Sequence, residues 1–384
     1  MPASKLAVAS ALMLSIIISG IAVDSYSLAN GAFPPTVASA IGSALEWLRS
    51  NQSSTGSYGD YFEHWTAAAA YALWLNDSRS PKAALSYSWL ALQLNGSSSW
   101  FWGRYGEADV PGAMLHSVAA SQNLDMINLT GVSSRLLEFQ EPEGGFRGYF
   151  DPGVGQYGQN VASTADTAMA LWGLAEARTV NASSRQAAID YLISLQNSGG
   201  SFNLTKTVVS DPIYSHAPEP VSITALALLA LKAASYTNNP HVTKALDFLT
   251  TATSKNFTNS NTTEGHVYSA SLTDLALNAF GRTVEASTVT SFMLSHQNAD
   301  GGFGDSIRFS GTSNALDTGW AGVALQLART EQPPTGPLNA GSTLSPWLIA
   351  MVGVAIAVVA SIVGVALYRR TRKPDPAFAG QPVR

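Results

Sequence analysis

A helical segment with an aromatic–aliphatic pair recurs at intervals of some tens of residues through most of this 384-residue chain. A repeat of that period restricts the fold to stacked supersecondary units that share one core. The pairs are Trp47-Leu48, Trp89-Leu90, Tyr191-Leu192, Phe248-Leu249 and Phe292-Met293. A glutamine stands five residues after the aromatic at Gln52, Gln196 and Gln297, and Gln140 ends a similar LLEFQ segment. Behind these glutamines lie SSTGSYG (53–59), EPEGGFRG (141–148), NSGGSF (197–202) and NADGGFG (298–304). Glycine there supplies the positive φ that stops a helix.

A second helix follows each turn, and a threonine recurs near its start: Thr66, Thr167, Thr224, Thr273 and Thr318. These segments, such as TALALLALKAA (224–234) and TGWAGVALQLA (318–328), are apolar almost all round, as helices enclosed by protein are. The first helices keep charges such as Glu46, Asp190 and Asp247 on one side. Each copy therefore pairs an outer helix with an inner one. Copies start near residues 37, 83, 130, 185, 242 and 286, with the second and fifth degraded. Six such hairpins stack as an open superhelix or close into a ring; helices enclosed on all sides favour closure, with the inner set facing one another. The expected fold is all-α, an (α/α)6 barrel over residues 30–330. No inner run reaches the length that spans a bilayer.

The two ends read differently. Residues 6–23 follow a short start charged only at Lys5, the layout of a secretory signal ending in a small-residue site at Ala29, with an uncleaved anchor as the alternative. Residues 331–345 (EQPPTGPLNAGSTLS) form a Pro/Gly/Ser-rich linker. The uncharged run Trp347–Leu367, within a segment at 346–368, is long enough at about 1.5 Å per residue to cross a hydrocarbon core of roughly 30 Å. Arg369, Arg370, Arg372 and Lys373 follow it in the tail 369–384, which the positive-inside tendency places in the cytoplasm. The expectation is a single-pass protein of the cell membrane, its folded part outside. Eight Asn-x-Ser/Thr sequons, at Asn51, Asn76, Asn95, Asn128, Asn181, Asn203, Asn256 and Asn261, agree with export. The chain has no cysteine, so disulfides are excluded and stability falls to the hydrophobic core. A net charge of −5 with no basic stripe in the outer part gives a nucleic-acid role no support.

QNADGGFG (297–304) with ALDTGWAGVALQLA (315–328), and EPEGGFRG (141–148) with TADTAMALWGL (164–174), resemble the α/α-toroid superfamily over about residues 37–330. Its repeats occur in squalene and other terpenoid cyclases and in protein prenyltransferase β subunits. The resemblance implies a toroid whose inner helices run parallel, with their N-termini at one mouth. It does not carry over the known catalytic centres. The prenyltransferase zinc site needs a cysteine, which this chain lacks; the cyclase strings Asp-x-Asp-Asp and Asp-Asp-x-x-Asp do not occur; and the Cys–Gln loop of complement-type thioester toroids is absent.

Converging helix N-termini favour an anionic ligand group at that mouth. Asp166 and Asp317 precede the recurring threonine, and Asp109 opens the second inner helix. They read either as helix caps or, in an apolar pocket that raises a pKa, as general acids. His64, close to an inner helix start, and Glu219, in the loop SHAPEPVS (215–222) with His216, are weaker catalytic candidates. The histidines, His116 included, match no metal-ligand spacing, so neither a metal nor a cofactor is expected. Trp65, Trp74, Trp172 and Trp320 fall on inner helices, and Trp100 and Trp102 lie in the turn WFWGRY (100–105). They read as core packing, or as the lining of a site for a lipid or isoprenoid tail, a glycan or a protein partner. The expected function is a non-catalytic, membrane-anchored binding protein; an extracytoplasmic cyclase- or lyase-type enzyme using acids at the mouth is the alternative.

Overall fold

The computed structural model describes residues 35–59, 63–97, 99–102, 106–149, 160–206, 220–253, 266–304 and 311–331. The expected signal segment, the span 346–368 and the tail lie outside them. Among the described residues no helix is long and apolar enough to cross a membrane.

Twelve α-helices are found among the described residues, alternating between an outer and an inner layer. The outer helices are α1 (Pro35–Asn51), α3 (Pro81–Asn95), α5 (Leu129–Leu137), α7 (Ala182–Ser194), α9 (Pro240–Thr253) and α11 (Thr283–Ser295). The inner ones are α2 (Glu63–Asn76), α4 (Asp109–Ala120), α6 (Thr164–Glu176), α8 (Pro220–Ala233), α10 (Val267–Ala279) and α12 (Ala315–Glu331). One hairpin of strands, β1 (Arg147–Tyr149) and β2 (Asn160–Ala162), stands before α6.

Each inner helix packs on the next, and α12 packs back on α2, so the ring is closed. Hydrogen bonds cross the closure. Gln297 donates to the Ala40 carbonyl at 2.8 Å, Gln326 to the Ala72 carbonyl at 3.0 Å, and the Trp47 indole to Asp300 at 3.0 Å. The inner helices are parallel where their register is visible. Gly319 faces Ala68 and Gly322 faces Ala72 between α12 and α2, while Gly112 faces Met169 and Gly173 faces His116 between α4 and α6. A Cβ on Gly112 would come within 2.6 Å of the Met169 carbonyl carbon, so glycine permits the close approach of α4 and α6.

The recurring glutamine and threonine fasten the copies together. The threonine hydroxyl at the inner helix start accepts the N–H of the turn aromatic: Thr66 from Tyr58 (3.0 Å), Thr167 from Phe146 (2.8 Å), Thr224 from Phe202 (3.1 Å) and Thr318 from Phe303 (2.8 Å). The glutamine amide donates to the glycine carbonyl of its own turn and to a carbonyl near the start of the next outer helix, at Lys82, Ser184, His241 and Ala40 in succession. The part-buried glutamine amide N–H groups and the buried threonine hydroxyls thereby find partners and link each copy to the next.

At the opposite rim the inner helices end in one repeated motif. Gln122, Arg178, Ser235 and Gly281 all have positive φ, and the next N–H bonds back to Val118, Leu174, Leu231 and Leu277 respectively. This is the Schellman arrangement, in which only Gly281 is free of a left-handed Cβ penalty. Ser235 is exposed at φ 64°, so Ser235→Gly is expected to raise stability by about 0.5–1 kcal/mol, read as a higher melting temperature.

Candidate functional site

Two groups of side chains stand out, one at the N-terminal ends of the inner helices and one on the barrel axis. The first joins Glu107, Asp109 and Asp166. Ser163 caps α6 by accepting the Asp166 N–H at 3.0 Å, and its hydroxyl donates to the Asp166 carboxyl at 2.5 Å. The other Asp166 oxygen accepts the Asp109 N–H at 3.2 Å, which ties α6 to α4. Oδ1 of Asp109 is buried without a hydrogen-bond partner. Burial pushes all three carboxyls up, to about 9 for Glu107, about 8 for Asp166 and about 6 for Asp109. The charges of Asp109 and Asp166 add to the rise at Glu107, and that of Asp109 to the rise at Asp166. The cluster therefore holds protons at neutral pH.

Asp317 does not join it. It is fully buried at the start of α12, where Asn314 caps its N–H at 2.9 Å and donates to its carboxylate at 2.7 Å. The matching sequence positions of Asp166 and Asp317 thus share a capping geometry, and Asp166 in addition accepts the Asp109 N–H. His64 lies half-buried in the first turn of α2, beside the half-buried Trp65. Glu219 and His216 lie outside the described residues.

The second group fills the axis. Trp172 of α6 and Trp320 of α12 come from opposite members of the ring and stack with centroids 5.8 Å apart at 23°. His116 of α4 lies against Trp172 at 3.8 Å and parallel to Trp320 at 6.2 Å. Tyr71 of α2 meets the His116 ring edge-on at 5.7 Å and continues to Trp74 at 6.2 Å. His116 is only 3% exposed, and neither ring nitrogen has a partner. Burial lowers its pKa to about 3, so the imidazole is neutral.

Trp100 and Trp102 belong to neither group. The Trp100 indole donates to both oxygens of the buried Glu63 at 3.0 and 3.1 Å while its ring stays 46% exposed. Trp102 lies between Phe101 and Phe139, with the Arg135 guanidinium 4.3 Å over its ring. Among the described residues no group of three or more His, Cys, Asp or Glu is arranged to hold a metal ion. Sequence reasoning missed Glu107 and Tyr71. The first had one signal, its position two residues before Asp109; the second had none beyond lying three residues before Trp74.

The family model of the A-macroglobulin TED domain matches residues 111–301. No curated protein matches the chain. Among solved structures, a protein from Actinoplanes is similar at 16% identity and TM-score 0.54, over 77% of this chain and 99% of that one. The type II terpene cyclase MstE from Scytonema is similar at 14% identity and TM-score 0.54, over 77% and 98% of the two chains. Candida albicans protein geranylgeranyltransferase-I complexed with GGPP follows at 13% identity and TM-score 0.52, over 75% and 90%. At these identities the likeness concerns architecture, and with the closed ring it shows that the chain has the α/α-toroid fold found in terpene cyclases and protein prenyltransferases.

Proposed function

We propose that this protein is a binding module and not a prenyl-converting enzyme, exported and held in the cell membrane by residues 346–368 with the toroid outside. The observation that carries the reading is the stack of Trp172 on Trp320. Neighbouring helices pack about 8–10 Å apart, so opposite members of a six-helix ring stand about 16–20 Å apart. Two facing indoles close that gap with the protein's own side chains. Similar toroids have been solved with geranylgeranyl dihydroxybenzoate and with GGPP. A prenyl chain laid along this axis would have to displace the stack. The absent cyclase and zinc strings support the same reading, as do the sequons and the uncharged run Trp347–Leu367 in a layout that suits an archaeal cell surface.

The carboxyl cluster supports the enzymatic alternative, because Asp109 offers a buried carboxyl oxygen with no partner and its neighbours are protonated at neutral pH. Glu107 and Asp166, which keep their protons at neutral pH, are suited to protonating an alkene or a leaving group, and Asp109 is placed to relay or accept a proton. A single assay separates the readings. The full chain, incubated with geranylgeranyl diphosphate, is expected to release no diphosphate and to form no cyclised or transferred product. Product that depends on Asp109 would overturn the binding reading.

A further inference from the structure

A glycan joins an asparagine through its side-chain nitrogen and leaves the side-chain oxygen as it was, so a sequon serves the fold and a sugar together only where the fold uses the oxygen alone. The product is a secondary amide, which takes the trans form and holds the sugar carbon on the same side as Oδ1. The hydrogen on that side of Nδ2 is the one replaced. Six of the eight sequons lie among the described residues, at Asn51, Asn76, Asn95, Asn128, Asn181 and Asn203, and all six asparagines are exposed. Their amides are engaged in different ways.

Asn128 and Asn181 are the N-caps of α5 and α7, and each works through its oxygen. Oδ1 of Asn128 accepts the Gly131 N–H at 3.2 Å. Oδ1 of Asn181 accepts the Ser184 N–H at 2.8 Å and the hydroxyl of its own sequon serine, Ser183, at 2.7 Å. Neither Nδ2 donates a hydrogen bond to the described residues. Gly131 keeps the Asn128 nitrogen clear, since a Cβ there would stand 2.6 Å from it. Asn95 and Asn203 are the opposite case. Nδ2 of Asn203 donates to Oδ1 of Asn197 at 3.2 Å while its own Oδ1 accepts from Asn197 at 2.9 Å. Asn95 closes a similar ring on the main chain, donating to the Met126 carbonyl at 3.2 Å and accepting the Asn128 N–H at 2.7 Å. An amide that donates and accepts towards one partner uses the hydrogen beside its own oxygen, the position a sugar would take, so a glycan on either breaks the ring. Two sequons fall between these cases. Nδ2 of Asn51 donates to the Trp47 carbonyl at 2.8 Å, and Asn76 is followed by the exposed Asp77, whose charge repels an anionic sugar donor.

We propose that Asn128 and Asn181 are N-glycosylation sites and that Asn95 and Asn203 are structural asparagines left bare. In the transfer, Nδ2 attacks the anomeric carbon of a lipid-linked oligosaccharide. The N–C bond forms, the bond from that carbon to the lipid phosphate oxygen breaks, the lipid phosphate departs and one amide proton is released. The order of folding and transfer does not alter the choice. On the folded chain the unengaged nitrogens are those of Asn128 and Asn181; on the unfolded chain a glycan at Asn95 or Asn203 removes a ring of hydrogen bonds from the fold that follows, whereas one at Asn128 or Asn181 leaves the helix cap in place. The assignment rests on the export reading above.

The test is site-by-site mapping of the full chain made in an N-glycosylating secretory host. Release with peptide-N-glycosidase in heavy-oxygen water turns each occupied asparagine into a labelled aspartate, which peptide mass spectrometry reads. Asn128 and Asn181 are expected to be filled nearly completely, Asn51 and Asn76 in part, and Asn95 and Asn203 hardly at all. Ser183→Ala keeps the Asn181 cap and abolishes its sequon, so it is expected to lose the label at Asn181 alone; Thr130→Ala does the same for Asn128. Circular dichroism checks the fold of both variants. Label at Asn95 or Asn203 equal to that at Asn128 and Asn181 overturns the assignment, as does an empty Asn128 or Asn181 in protein that has reached the cell surface. Either result leaves the export reading standing. A chain that stays inside the cell with every sequon empty removes the export reading and the assignment with it.

Discussion

Gly144→Ala is expected to destabilise the toroid by about 3 kcal/mol or more, the sum of a positive-φ penalty of about 1–2 kcal/mol and an overpacking penalty of about 1–3 kcal/mol. Gly144 has φ 95°, and a Cβ there would stand 2.2 Å from the Ala187 carbonyl oxygen on α7. Neither side of that contact can yield cheaply, because the obstacle is the backbone of the next outer helix. The same turn recurs at Gly56, Gly200 and Gly301, each with φ near 90° and each against the backbone of the following outer helix, at Leu85, Lys244 and Ser43. Two internal controls separate the causes. Gly281→Ala carries the positive φ of 74° with nothing within 4 Å, so it is expected to cost about 1 kcal/mol from backbone strain alone. Gly199→Ala has neither positive φ nor a neighbour within 4 Å and should leave stability unchanged. Denaturant unfolding of the three variants should rank them in that order. Equal effects at Gly144 and Gly199 would show that the turns do not bear on the neighbouring copies.

The turn-and-helix repeat was legible because its chemistry is local. A glycine that needs positive φ, a threonine that caps the turn and an all-round apolar helix lie within a few tens of residues of one another, and six copies multiply a weak signal. Closure was legible only as an inference from enclosed helices; the bonds that achieve it, Gln297 to Ala40 and Gln326 to Ala72, join residues more than 250 positions apart. The second role of the glutamines, reaching into the next outer helix, was hidden for the same reason. The carboxyl cluster was half visible. Asp109 and Asp166 were marked by their helix starts, but Glu107 stands in the degraded second copy, where WFWGRYGEAD replaces the Gly-Gly-Phe turn and gives no register. The axial group was the least legible. Trp172 and Trp320 were recognisable as inner-helix aromatics, yet nothing in their spacing says that copies three and six face each other across the ring, or that His116 and Tyr71 join them from between.

Between pH 6.5 and pH 9 the domain is expected to lose about 2–5 kcal/mol of stability, from the titration of Glu107 and Asp166. Their folded pKa values, about 9 and about 8, are raised above the ordinary values of 4.5 and 3.8. A raised carboxyl pKa means that the native state binds more protons than the unfolded chain, so stability falls as pH climbs from the unfolded value toward the folded one and is level beyond it. His116 works in the opposite direction at lower pH. Its folded value of about 3 lies below the ordinary 6.5, so its contribution is complete above pH 6.5 and is lost as acid protonates the unfolded chain first. The window above pH 6.5 therefore isolates the carboxyls. Unfolding free energies measured across it should decline in the wild type and run nearly flat in Glu107→Gln/Asp166→Asn, since an amide keeps the acceptor for the Asp109 N–H but cannot ionise. If the wild type is flat as well, the three acids are solvated by an open mouth and do not share a buried site; if the variant declines as steeply as the wild type, the titrating groups lie elsewhere.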